Sequence, residues 1–170
     1  MTLDEAKKEF IETWGGLASQ WGIGRAMAQL HALLYISDEP LCTEDIMEKL
    51  VISRGSANMN VRELMDWGLV RKLNRVGERR DFYEAEKDVW KIASCIMRER
   101  KKRELEPILQ ILEKLSQPED QPQTASDLAF LESIKRLKDF SESIDAGVNT
   151  FLKAEENRVT RLLMSILGKK

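Results

Sequence analysis

Histidine occurs once in the 170 residues, at His31, and cysteine twice, at Cys42 and Cys95. A single imidazole with no soft ligand near it in sequence supplies no zinc set, since such sites draw three or four N and S donors together. The two cysteines lie far apart without C-x-x-C spacing, so thiols in a reducing cytosol are expected and no disulfide framework. No apolar run approaches the roughly 20 residues that span a bilayer. The opening "MTLDEAKKEF" carries acids where a signal peptide needs an apolar stretch. A cytoplasmic protein with no membrane partner is the expectation. Also missing are a phosphate-cradling glycine loop, an H-E-x-x-H pair, a nucleophile elbow and any constellation of His, Cys and carboxylate. An enzyme is therefore not expected, nor a cofactor.

What the chain has is enough apolar material for one compact domain with a helical appendage. Hydrophobic residues make up 42% and charged residues 33%, the balance of a globular protein rather than a disordered one. With 27 basic and 29 acidic residues the formal net charge is −2, which taken alone argues against a nucleic-acid partner. Its distribution argues the other way. From Ser53 to Arg80 the basic residues are Arg54, Arg62, Arg71, Lys72, Arg75, Arg79 and Arg80 against Glu63, Asp66 and Glu78, a local excess of +4. Phosphate attraction is screened over roughly 8 to 10 Å, so the local excess decides.

Leu3, Phe10, Trp14, Leu17 and Trp21 recur at helical spacing, and Gly22 and Gly24 end that segment. Met27, Leu30, Leu33 and Leu34 form the stripe of a second helix, which "SDEP" closes because Pro40 lacks an amide proton. A short third helix starts at Cys42 or Thr43, with Glu44 and Asp45 in its first turn and Ile46, Met47 and Leu50 facing inward. After a break at Val51 and Ile52, Ser53 caps a fourth helix that stops at Gly68, expected to be left-handed. Two short helices across a tight turn make a helix-turn-helix. "LVRKLN" and "DFYEAE" read as strands around "RVGERR", whose Gly77 suits a hairpin tip, so a β-wing follows. The expected fold class is mainly α with a small β-wing, a winged helix-turn-helix plus a helical dimerisation region.

Beyond the wing, one long helix is expected from Lys87 to Ser116, polar all round at "RERKKRELE". "QPEDQPQTAS" is a linker by composition. Two further helices are expected after it, the first on Leu128, Leu131, Ile134 and Leu137. The second uses Val148, Phe151, Leu152, Val159, Leu162, Leu163, Ile166 and Leu167. The implied organisation is residues 1–23 as an N-terminal packing and dimerisation helix, 24–86 as the winged head and 87–117 as a connecting helix. Residues 118–126 form the linker and 127–170 a C-terminal dimerisation region.

In "SRGSANMNVRELMDWG" the positions Ala57, Val61 and Leu64 fix a buried stripe, and the opposite side carries Gly55, Met59 and Arg62, flanked by Ser56, Asn58 and Glu63. That outward face is amide-rich and lacks the salt-bridge ladder of an ordinary solvated helix. Asn bonds adenine bidentately, Arg bonds guanine or phosphate, and an exposed Met packs on a thymine methyl. Gly55 in the first turn, costing about 1 kcal/mol of helix propensity, suggests close backbone approach to phosphate. Arg75, Arg79 and Arg80 on the wing are placed to hold a phosphate ridge or an adjacent minor groove.

The order of elements, with "PLCTEDIMEKLVISRGSANMNVRELMDWGLVRKL" leading into "VGERRDFYEAEKDVW" and preceded by "WGIGRAMAQLHALLYIS", resembles the MarR family and within it the GbsR-like branch, over roughly Phe10 to Leu115. The resemblance implies a homodimer on double-stranded DNA with a pseudo-palindromic operator, commonly a repressor that loosens when a small-molecule effector binds. By position it implies base readers at Arg54, Ser56, Asn58 and Met59, phosphate contacts at Ser53, Asn60 and Arg62, and wing contacts at Arg75, Arg79 and Arg80. Cys42 departs from the Thr or Ser that usually begins the family's helix. Some members of the branch sense choline, which aromatic rings hold by cation–π attraction; Trp14, Trp21, Tyr35 and Trp90 are the candidate effector residues. Rings on apolar stripes are more commonly core or interface, and His31 reads as a packed residue. The competing function is a winged helix that binds protein and leaves DNA alone, which would show apolar or acidic residues where this chain has Gly55, Ser56, Asn58 and Arg62.

Overall fold

The computed structural model describes residues 1–157, and the chain packs as two compact units, Met1–Ile92 and Ala93 onward. In the first unit, α1 (Leu3–Gln20) starts on a capping box in which Thr2 accepts from the Glu5 amide while Glu5 accepts from the Thr2 amide. It packs against α2 (Arg25–Ile36), whose Met27, Leu30, Leu33 and Leu34 are buried as their spacing requires. α3 (Thr43–Leu50) and α4 (Arg54–Asp66) close over α2 with Ile46, Ala57, Val61 and Leu64.

A three-stranded antiparallel sheet of order β1-β3-β2 completes this unit, from β1 (Leu41–Cys42), β2 (Val70–Asn74) and β3 (Asp81–Ala85). Its register pairs Val70 with Ala85 and Asn74 with Asp81, while Cys42 faces Phe82 across the other edge. Gly68, with φ +74°, makes the left-handed turn from α4 into β2, and Gly77, with φ +86°, turns the hairpin tip. Phe82, Tyr83 and Ala85 seal the sheet onto the helices.

The second unit carries most of the long helix expected from Lys87 to Ser116, which is not regular throughout. α5 (Val89–Arg100) passes through a π turn at Lys101–Leu105 into α6 (Glu106–Leu115). Pro107 is the physical reason: it has no N–H to offer the Arg103 carbonyl and its ring crowds that group, and the wider turn relieves both. After the stretch 116–124, Leu128 to Leu137 and Val148 to Leu152, expected in two helices, lie in one, α7 (Ala125–Glu156), about 48 Å long at 1.5 Å per residue. The run between Leu137 and Val148 continues as helix through Gly147, because packing on the neighbouring helix outweighs a local propensity cost of about 1 kcal/mol. Within this unit Lys101 Nζ lies 2.8 Å from Asp145 Oδ1 and donates to Asn149 Oδ1 at 2.7 Å, tying α7 to the π turn. Leu112 and Ile134 are buried, whereas Phe130, Leu137, Phe140 and Ile144 of α7 are exposed. The apolar positions Val159, Leu162, Leu163, Ile166 and Leu167 lie outside the described residues. No helix among the described residues is long and apolar enough to cross a membrane.

Candidate nucleic-acid interface

α3 begins at Cys42, whose amide donates to Asp45 Oδ2 at 2.9 Å in a capping box with sulfur in the hydroxyl's place. Burial pushes the Cys42 thiol above its ordinary value, away from a reactive thiolate. The turn into α4 runs through Val51 at φ +53° and ψ +48°, a left-handed conformation that a β-branched residue rarely takes. Ser53 then caps α4, its Oγ accepting from the Ser56 amide at 3.2 Å.

The outer side of α4 shows Ser53, Arg54, Gly55, Met59 and Arg62 exposed, with Ser56 and Asn58 half-buried at its margin. Met59 is 63% exposed, an apolar side chain left largely in water by the described residues. A Cβ built on Gly55 would meet nothing closer than Ser53 Oγ at 3.9 Å, so no packing within the protein demands glycine there. Asn60 corrects the sequence reading. It is 5% exposed, and its Nδ2 donates to Ser56 O at 2.8 Å and Ser56 Oγ at 3.2 Å, so the amide holds the inner side of the helix and is not offered to phosphate.

The β2–β3 hairpin places Arg75, Arg79 and Arg80 around its tip, in three different situations. Arg75 donates to Glu39 Oε2 at 3.0 Å and lies 4.5 Å above the Phe82 ring. Arg80 donates to Glu78 Oε2 at 2.7 Å and to Cys42 Sγ at 3.7 Å, 5.5 Å from the same ring. Arg79 is exposed and makes no ion pair among the described residues. At the start of α4, Arg54 Nη2 donates to Glu44 Oε1 at 2.8 Å. Lys72 pairs with Asp81 at 2.9 Å and Arg71 with Glu84. Of the seven basic side chains between Ser53 and Arg80, only Arg62 and Arg79 thus lack an acidic partner among the described residues.

Sequence reasoning missed Glu39, Glu44 and Phe82 in this surface. Glu44 and Arg54 are ten positions apart and Glu39 and Arg75 thirty-six, so no helical or strand periodicity connects them. Only the alternation of β3, with Phe82 between Asp81 and Tyr83, carried a faint signal of an inward ring.

The four candidate effector residues do not share one role. Trp14 stacks with Phe10 at 5.5 Å on α1, and Trp21 ends that helix 71% exposed. Trp90, in the first turn of α5, is also exposed. Tyr35 faces His31 on one side, while Lys87 Nζ lies 5.6 Å from its ring and donates to the carbonyls of Leu34, Tyr35 and Ser37. That ammonium already holds the place over Tyr35 that a quaternary ligand would use. His31 is 6% exposed and its Nε2 finds no hydrogen-bond partner among the described residues. Burial first, and the Lys87 charge second, lower its pKa to about 4.

Residues 21–81 match the family model described as MarR family. Among curated proteins of Bacillus subtilis (strain 168), the chain is 28% identical over 89 residues to the HTH-type transcriptional repressor GbsR, covering 52% of this chain and 49% of that protein. It is 24% identical over 88 residues to YvaV, named as an HTH-type transcriptional regulator, covering 52% and 50%. The chain spans about half the length of the curated relatives it matches. A crystal structure of a transcriptional regulator superposes with TM-score 0.68 over 90% of this chain and 99% of the other at 20% identity, a likeness of fold.

Proposed function

We infer that this chain, whose residues 21–81 match the family model described as MarR family, is a sequence-specific DNA-binding transcriptional regulator, a homodimeric repressor on a pseudo-palindromic operator whose grip a small-molecule effector relieves. The observation that carries this reading is the outer side of α4. A helix that buries Ala57, Val61 and Leu64 and turns Arg54, Ser56, Asn58, Met59 and Arg62 outward has what the major groove asks for: forked and amide donors for base edges, an apolar tip for thymine methyls and a backbone that Gly55 leaves uncovered. Arg79, exposed on the wing, is suited by its charge to a phosphate contact.

Base contacts specify and phosphate contacts position, so the two sets of side chains have separable effects. Asn58 and Arg54 belong to the first set, Arg62 and Arg79 to the second. The dimer reading draws on the exposed apolar side chains of α7, Phe130, Leu137, Phe140 and Ile144, and of α1, Leu3, Trp14 and Leu17. Apolar surface of that extent marks an interaction site. Two heads related by a two-fold axis place their α4 helices in half-sites about 34 to 36 Å, one helical turn, apart.

Selection of bound duplexes from random and genomic DNA tests the reading. The expected product is an inverted repeat with that spacing, and the genes beside the genomic sites narrow the effector. Recovery of no enriched sequence, together with capture of a protein partner through α4, replaces this reading with the protein-binding winged helix.

A further inference from the structure

We propose that Glu44, in the first turn of α3, is the positioning residue that sets Arg54 to read a guanine. The proposal rests on the DNA-binding reading and adds to it a base identity and a residue outside α4. Arg54 is the first residue of α4, and the N-terminal end of such a helix meets base edges. An arginine there is long and mobile, and it loses rotamer freedom on docking unless something holds it beforehand. Glu44 does so through one nitrogen only: Nη2 donates to Oε1 at 2.8 Å, while Nη1 and Nε make no hydrogen bond among the described residues.

Guanine presents O6 and N7 to two parallel N–H groups of the guanidinium fork, which the second Nη2 hydrogen together with Nη1 supplies without releasing Glu44. The carboxylate adds a second effect. It is ionised, its own amide and the Arg54 guanidinium holding its pKa below the ordinary value. Negative charge beside the guanidinium opposes a phosphate as partner and leaves a neutral base edge favoured. Arg62 and Arg79, which form no ion pair among the described residues, are the contrast and suit the phosphate backbone. Fixed placement of the two partners follows from the packing of α3 against α4, in which Ile46, Ala57 and Val61 are buried. Both side chains are solvent-exposed, so the pair contributes little to stability and its removal leaves the fold in place.

The test begins with selection from a random duplex library by the wild type. The selected duplex and a copy with the half-site guanine replaced by adenine are then titrated by fluorescence anisotropy with wild type, Glu44→Ala, Glu44→Gln, Arg54→Ala and Arg54→Lys. Thermal midpoints are checked alongside. The wild type should prefer guanine by about 5- to 150-fold, the range of one good bidentate contact. Arg54→Ala and Arg54→Lys should both abolish that preference, lysine because it keeps charge but not the fork. Glu44→Ala should shrink it by about threefold or more at unchanged thermal midpoint and unchanged salt slope, with Glu44→Gln recovering part through its acceptor oxygen. The proposal is overturned if Glu44 variants tighten binding to both duplexes equally, or leave the ratio unchanged, or if guanine preference survives Arg54→Ala. A wild type that selects no sequence overturns the regulator reading itself, a result distinguishable from these.

Discussion

Acidification from about pH 7 to about pH 5 should destabilise the first unit by about 2 kcal/mol through His31 alone. The imidazole is 6% exposed, its Nε2 has no partner among the described residues, and burial with the Lys87 ammonium lowers its pKa from 6.5 to about 4. In the unfolded chain it titrates at its ordinary value. The unfolded state therefore binds the proton first, and stability is complete above the unfolded pKa and falls as pH drops toward the folded one. The full gap of about 2.5 units is worth roughly 3 kcal/mol, of which about two thirds is spent by pH 5. Carboxylates such as Glu86, held below its ordinary value by the Asp88 amide, lose their contribution at still lower pH and leave this window to the imidazole. Urea unfolding at three pH values across the window, on wild type and His31→Leu, isolates the effect. The leucine variant, without a titrating group, should show a slope smaller by the whole 2 kcal/mol. Equal slopes in the two proteins, or a wild type as stable at pH 5 as at pH 7, would refute the reasoning.

Three further outcomes follow from the geometry. Val51→Gly, relieving a left-handed β-branched residue at φ +53°, should raise stability by about 1 kcal/mol in the same urea assay, the gain reduced by glycine's greater unfolded entropy. Gly55→Ala meets open space on the protein side, so it should leave stability equal or higher by up to about 1 kcal/mol while weakening operator binding, measured by anisotropy. Leu137→Asp with Phe140→Asp, placing charge on the exposed apolar side of α7, should turn a dimer into a monomer by light scattering at micromolar concentration without loss of helical circular dichroism.

The head was legible because its signals are local. Ala57, Val61 and Leu64 recur at one helical period, Gly68 and Gly77 stand where φ must be positive, and Ser53 caps as a serine before a polar first turn does. Asn60 is polar on a reading helix and so looks outward by type, whereas on the wheel it sits beside Leu64 at the edge of the buried stripe, where Ser56 satisfies it. The acids that hold Arg54 and Arg75 come from other elements and left no periodic trace. Pro107 in the long helix could have announced the π turn, since a proline there forces the preceding turn to yield. Leu137, which ends one apolar stripe, and Val148, which opens the next, are eleven apart, which suggests two helices, while the Lys101–Asp145–Asn149 contact that steadies one continuous helix there exists only after folding.

The claim that this head reads sequence through α4 and holds DNA through Arg62 and Arg79 is tested most directly by one titration series. Selected and scrambled duplexes are titrated at several salt concentrations with wild type, Asn58→Ala and Arg79→Ala. Wild type should bind both at low salt and prefer the selected duplex by about 10³-fold or more. Asn58→Ala should cost about 1 to 3 kcal/mol on the selected duplex and much less on the scrambled one. Arg79→Ala should weaken both alike and lower the salt slope by about 0.9. If wild type binds neither duplex near 50 mM salt, roughly where phosphate attraction is strong, or if the two variants lose affinity identically on both, α4 and the wing are not a DNA-reading surface.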